Sequence, residues 1–397
     1  MPFRCALIVL LLWVSAGWGA ELRTLTGKTI SGELLTINNK EVVLRSGTEE
    51  IATPIEQVLA IDLQASNLLT KDLKYKDVEL TDGTLLHCLD VKFRGKQAEL
   101  TTVAGQEVKV PLSAIGYVIS DAHDPKVVQT VKERFLAKKR TRDLLIVKTA
   151  DGQLNPLQGT LGDADEKGET IEFEVADLNQ KARPALARIH GLIFLRTPDA
   201  NAPEPICKLF DNYRNTVVVS GLSLGPDGLT VTTPAGAKIA YKPELVAKLD
   251  FSKGKMEFLS DMQPVRVVET NNLERVEHYR RDQNLDGDKI TLDGKKYDKG
   301  LALHAYTELE YKLDGGYEYF MCILGVDDLV GGSDGPTLVR LEGDGREIKT
   351  WTITRKDKPI PVKVPIRDVH RLKIVVASGD LLDLGKHVNL ADAKVSK

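Results

Sequence analysis

A mainly β protein is what this chain of 397 residues predicts. Three observations carry that expectation. Apolar and polar residues alternate over short stretches, glycine-containing turns separate those stretches, and the pattern recurs through the first two thirds of the chain. Only one segment has a helical period. With 28% charged, 42% hydrophobic and 6% aromatic residues, the composition is that of a soluble globular protein, which excludes disorder, collagen and a multi-span membrane protein. The 54 Lys plus Arg stand against 57 Asp plus Glu, a net charge of -3, so no global field draws in nucleic acid. The four cysteines, Cys5, Cys88, Cys207 and Cys322, are too few and too far apart for a disulfide scaffold or a zinc cluster. Free buried thiols are expected instead.

The first element is an export signal over 1–19. Arg4 precedes an apolar run, ALIVLLLWV, and the small-residue stretch SAGWGA follows it. Cleavage after Gly19 puts Gly17 and Gly19 in the two small-residue positions. The run is too short to anchor a chain in a bilayer, so the expected product is secreted, periplasmic or held at the cell envelope without a transmembrane anchor. Such a cut also removes Cys5, Trp13 and Trp18, leaving Trp351 as the one indole.

Four β units follow, arranged as one pair over 20–121 and a second over 143–253. Each has a strand, a tight turn, further strands, and a proline followed by spaced apolar residues. The turns fall at Gly27, at Asp82-Gly83 and at Asp151-Gly152, while the fourth copy, CKLFDNYRNTVVVSGL, lacks the Asp-Gly pair. The closing prolines are Pro54, Pro111, Pro184 and Pro243. A unit of roughly 45 to 60 residues is near the lower limit for an independent core, so neighbours are expected to pair. The spacing resembles small SH3-like or Sm-like β-barrels, which implies spacer or protein-interaction modules.

Between the pairs, 122–142 reads as a spacer helix, with Asp124 as N-cap and Pro125 in the first turn. Val127, Val128, Val131, Phe135 and Leu136 fall near one face. Lys132, Arg134, Lys138, Lys139 and Arg140 lie elsewhere, as a solvated basic face or as a contact for an anionic lipid headgroup or polysaccharide.

From residue 254 the strands lengthen. The order GKKYDKGLALHA, LEYKLDGGYEYFMCILGVDD, VRLEGDGREI and KHVNLADAKV resembles the NPCBM family, carbohydrate-binding modules found beside glycoside hydrolases and in secreted bacterial proteins. That resemblance implies a galactose-binding-like β-sandwich over 254–397. The family ends on DHADWADA. Here His387, Ala391, Asp392 and Ala393 match, whereas Lys386, Val388, Asn389 and Leu390 depart, Leu390 standing where the family has Trp.

The carbohydrate-binding candidates are His304, Trp351, His387 and Asn389, because a sugar presents an apolar ring face and hydroxyls at its edge. His304 reads also as a structural histidine, the commoner role of a lone strand histidine, and Trp351 reads equally as a stacking platform or an edge cover. Asp327, Asp328 and Asp334 are candidates for Ca²⁺, which takes loop carboxylates, or for turn caps. No other cofactor is indicated. The sequence shows no paired carboxylates on a cleft-forming scaffold and no GxSxG, HExxH, P-loop or GxGxxG, so an enzyme is not expected. The leading expectation is a secreted non-catalytic protein whose sandwich binds a glycan or polysaccharide. The alternative is a structural or assembly protein of the cell envelope, with protein partners and a degenerate sugar site.

Overall fold

In the computed structural model the described residues are 18–176, 180–197, 199–270, 278–329, 335–379 and 386–397. The chain is mostly β and divides into two compact units, Met1–Phe251 and Ser252–Lys397. Most of the expected export signal, with Cys5, lies outside the described residues. Trp18 and Gly19 belong to the strand Trp18–Thr24, where Trp18 pairs with Leu34 and is buried, so the expected cut after Gly19 falls inside a ladder.

Within the first unit the repeats share one plan. In the first, Trp18–Thr24, Thr29–Ile37, Glu41–Ser46 and Glu49–Pro54 pair in succession, a 3-10 turn Ile55–Gln57 follows the proline, and Val58–Asp62 pairs back onto the opening strand. Gly27, Gly83 and Gly152 take φ of 84, 86 and 83° in the first turns of three repeats. Those left-handed angles are the ones glycine adopts without a Cβ penalty. In the fourth repeat Arg214 holds φ 66° at the equivalent turn, fixed by the Asp211 carboxylate, which accepts hydrogen bonds from the Tyr213 and Asn215 amides at 2.9 Å each. Among the described residues none of the sheets closes on itself.

The expected pairing of sequence neighbours is replaced by another. The closing strand Val58–Asp62 of the first repeat pairs with the closing strand Val246–Asp250 of the fourth, and Ile115–Ile119 of the second pairs with Gly191–Ile193 of the third. Each closing strand already pairs with its own opener on one edge, and its other edge offers unpaired N–H and C=O groups. Two such edges satisfy each other. One apolar core then runs from Trp18 to Phe251.

The expected spacer helix is shorter than its sequence pattern. The α-helix Pro125–Val131 is capped by the Asp124 side chain and passes into a wide π turn, Lys132–Leu136. Val131 and Phe135 are buried with Tyr117 and Ile119 of the second repeat and Leu144 and Ile146 of the third. The helix is thus packed within the second and third repeats and does not merely span a gap. Cys88, Cys207 and Cys322 are buried thiols in no disulfide, and burial pushes the Cys88 thiol up to about 12.

The second unit is a sandwich of antiparallel sheets. One orders Arg280–Arg281, Gly300–Leu303, Val388–Ser396, Tyr319–Val326 and Ile360–Pro365, with Met256–Phe258 also on Val388–Ser396. The other orders Arg266–Glu269, Thr307–Lys312, Arg371–Ser378, Thr337–Gly343 and Arg346–Ile353. Leu301, Phe320, Leu324 and Leu390 from the first meet Leu309, Tyr311, Leu341 and Ile374 from the second in a shared core. The strands flanking Gly315 and Gly316 lie in different sheets, so that turn crosses the sandwich. The hairpin Ile290–Leu292 and Lys295–Tyr297 covers the other face of the first sheet, packing Ile290, Leu292 and Tyr297 on Ala391. Among the described residues no helix is long and apolar enough to cross a membrane.

Candidate functional site

The strand Val388–Ser396 lies between Gly300–Leu303 and Tyr319–Val326. Val388 and Leu390 enter the core, so the period of two sends Asn389 to the opposite face, with its ladder partners Ala302 and Gly325. His304 follows Leu303, and His387 precedes Val388. Because Leu303 pairs with Val388, the two imidazoles meet edge to face, with centroids 5.5 Å apart and planes at 74°. His304 is buried and His387 partly exposed.

The same strand ends hold Asp327. Its amide donates to the His387 carbonyl at 3.1 Å, and its carboxylate accepts from Asn389 Nδ2 at 2.6 Å and from the Leu329 amide at 2.9 Å. Asp327 is 2% exposed and Asn389 1%, so the contact is a charge-assisted hydrogen bond in a dry setting. It orients the amide of Asn389 and leaves Asn389 Oδ1 as a buried acceptor with no partner. His304 Nδ1 lies 3.2 Å from the Ala305 carbonyl oxygen. A carbonyl only accepts, so Nδ1–H donates, and in the neutral ring Nε2 remains an acceptor suited to a hydroxyl.

Four candidates named from sequence therefore stand together: His304, His387, Asn389 and Asp327. Trp351 stands apart from them. It sits on the edge strand of the other sheet, paired with Val339, half-buried against the core, with Lys349 Nζ 5.6 Å from its ring.

Asp328 uses both carboxylate oxygens on a turn, accepting from the Asp293 amide at 2.9 Å and the Gly294 amide at 2.8 Å. Those two residues have φ of 50 and 73°, and Asp328 caps the hairpin they make. Asp334 lies outside the described residues. Among the described residues no group of three His, Cys, Asp or Glu side chains is arranged to hold a metal.

Lys386, which sequence reading treated only as a departure from the family motif, is 1% exposed and donates from Nζ to the Pro336 carbonyl at 3.2 Å. The Gly379 amide also donates to that carbonyl at 2.9 Å, so Lys386 ties the start of the central strand to loops of the facing sheet. A lysine in place of the motif's acidic residue was the available signal. Leu390, in the position of the family Trp, is a core residue at 2% exposure.

Residues 255–396 match the family model described as the NPCBM/NEW2 domain. No curated protein matches the chain. Among solved structures, CBM51 from Clostridium perfringens GH95, in complex with methyl-galactose, is 28% identical; the match covers 36% of this chain and 99% of that one, with a TM-score of 0.32. The CBM51-2 and INT domains of Clostridium perfringens ZmpB, with CBM51-2 bound to GlcNAc, are 19% identical over 45% of this chain and 44% of that one, with a TM-score of 0.33. The tandem CBM51 modules of a family 98 glycoside hydrolase from Streptococcus pneumoniae are 14% identical over 64% of this chain and 88% of that one, at a TM-score of 0.32.

Proposed function

We propose that this is a secreted, non-catalytic carbohydrate-binding protein, in which the sandwich recognises a glycan through His387 and His304, with Asn389 and Asp327 as the buried support. The observation that carries the reading is the edge-to-face histidine pair within a segment that matches the NPCBM/NEW2 model. His387 supplies a partly exposed imidazole, and the tautomer fixed at His304 supplies an acceptor for a hydroxyl. The repeats of the first unit serve as spacer and interaction modules. The alternative reading, an envelope assembly protein with a degenerate sugar site, drew on Leu390 in place of Trp. Burial of Leu390 between the sheets speaks against that support, since the side chain packs in the core.

Affinity electrophoresis and calorimetry of the full chain with galactosides, N-acetylglucosamine and a glycan array test the reading. Retention on at least one glycan is expected, with His387→Ala weakening it about tenfold, the equivalent of about 1.4 kcal/mol, at unchanged melting temperature. A chain that no glycan retains, with and without Ca²⁺, overturns it.

A further inference from the structure

Where the wide turn after the helix meets the third repeat, a pocket of about 300 Å³ opens. Arg134, Lys138, Lys139, Arg140 and Arg142 line it, and among the described residues no carboxylate does. Arg134, Lys138, Lys139 and Arg140 place four like charges within seven residues, and the second side of the pocket, at Pro156 and Gln158, adds no charge. Two described acids stand nearby, each holding neutral donors. Glu133 accepts from Gln129 Nε2 at 2.9 Å, and Asp143 accepts from the Leu161 and Leu195 amides at 2.7 and 2.5 Å.

Arg140 is the innermost clue. Its Nη1 is buried with no hydrogen-bond partner, and burial draws the guanidinium below its ordinary pKa, with Asp143 opposing that shift. A buried donor without an acceptor costs about 1–3 kcal/mol, and a guanidinium fork fits the oxygens of a sulfate or phosphate group. Phe135 and Leu144 are buried beneath the pocket. A recess of this kind receives one oxyanion group projecting from a chain, whereas a planar bilayer surface does not enter it. Lys138 and Lys139, both exposed, extend the positive charge along the chain beyond the recess.

We propose that this pocket binds an anionic polysaccharide, taking one sulfate or phosphate ester at Arg140 while Lys138 and Lys139 meet neighbouring charges. This site lies in the first compact unit and does not depend on the sandwich's sugar site.

The test is calorimetry of the full chain with a heparin-derived oligosaccharide, its desulfated form, inorganic sulfate, inorganic phosphate and phosphatidylglycerol vesicles, at several salt concentrations. Binding of the sulfated oligosaccharide alone is expected, with affinity falling as salt rises. Arg140→Gln should weaken it about tenfold or more, and Lys138→Gln with Lys139→Gln should flatten the salt dependence. Lys28→Gln, an exposed charge on the first repeat, should change nothing. If Arg140→Gln lowers the melting temperature, the exposed lysine pair decides. Equal losses from Lys28→Gln and the pocket variants, binding to vesicles or free ions without the oligosaccharide, or loss of binding in His387→Ala would each overturn the proposal.

Discussion

At position 389 an amide does what neither a carboxylate nor an alkyl group does. Asn389 donates to Asp327 across 62 residues of sequence, and both side chains are sealed from water. Asn389→Ala should leave the Asp327 carboxylate one hydrogen bond short and cost about 1–3 kcal/mol in urea unfolding. Asn389→Asp sharpens the test, since two carboxylates in contact raise the folded pKa of the pair above its unfolded value. The proton is then held more tightly in the folded state. The penalty should therefore be absent in acid and grow as pH rises through and above the ordinary carboxylate range. Both residues were legible as candidates, but for different chemistries, Asn389 for sugar and Asp327 for Ca²⁺. No spacing rule joins positions so distant, so their shared role emerges only when two strands lie side by side.

Among the elements, the strand Val388–Ser396 shows where an alternation pattern is sufficient. It places Leu390 inward, and the core confirms its burial beside Leu301 and Leu324. Restoring the family residue with Leu390→Trp should overpack the sandwich and destabilise it by about 1–3 kcal/mol, with no gain in glycan affinity. The neighbouring strand already lies close against this one. Gly300 has φ 152°, and a Cβ there would fall 2.7 Å from the Leu390 carbonyl oxygen. Thermal melts and calorimetry of the variant check both halves of the expectation, and tighter glycan binding would place residue 390 at the sugar after all. The helix was legible differently. Asp124 and Pro125 marked its start, but its π-turn ending follows from packing against two repeats, which local sequence does not encode.

For the whole molecule, the decisive feature is the choice of repeat partners. Leu249 of the fourth repeat is fully buried opposite Ile61 of the first. Leu249→Ala should cost about 2–5 kcal/mol, and hydrogen exchange should quicken at the Leu63 amide, which donates to the Ala247 carbonyl at 2.9 Å. Exchange in Ile115–Ile119, paired with the third repeat, should change less. Equal effects on both strands would argue against separate repeat pairs. By itself the sequence determined the β class, the recurrence of a strand plan closed by a proline turn, the inward faces of the sandwich strands and the histidines worth testing. Alternation and turn chemistry are local, and they state which face of a strand is apolar. Every residue but proline offers the same N–H and C=O to a neighbour, so strand edges carry little information about which edge they will meet. Tertiary structure alone decided that the first repeat joins the fourth, that Asn389 meets Asp327, and that five cations surround one pocket.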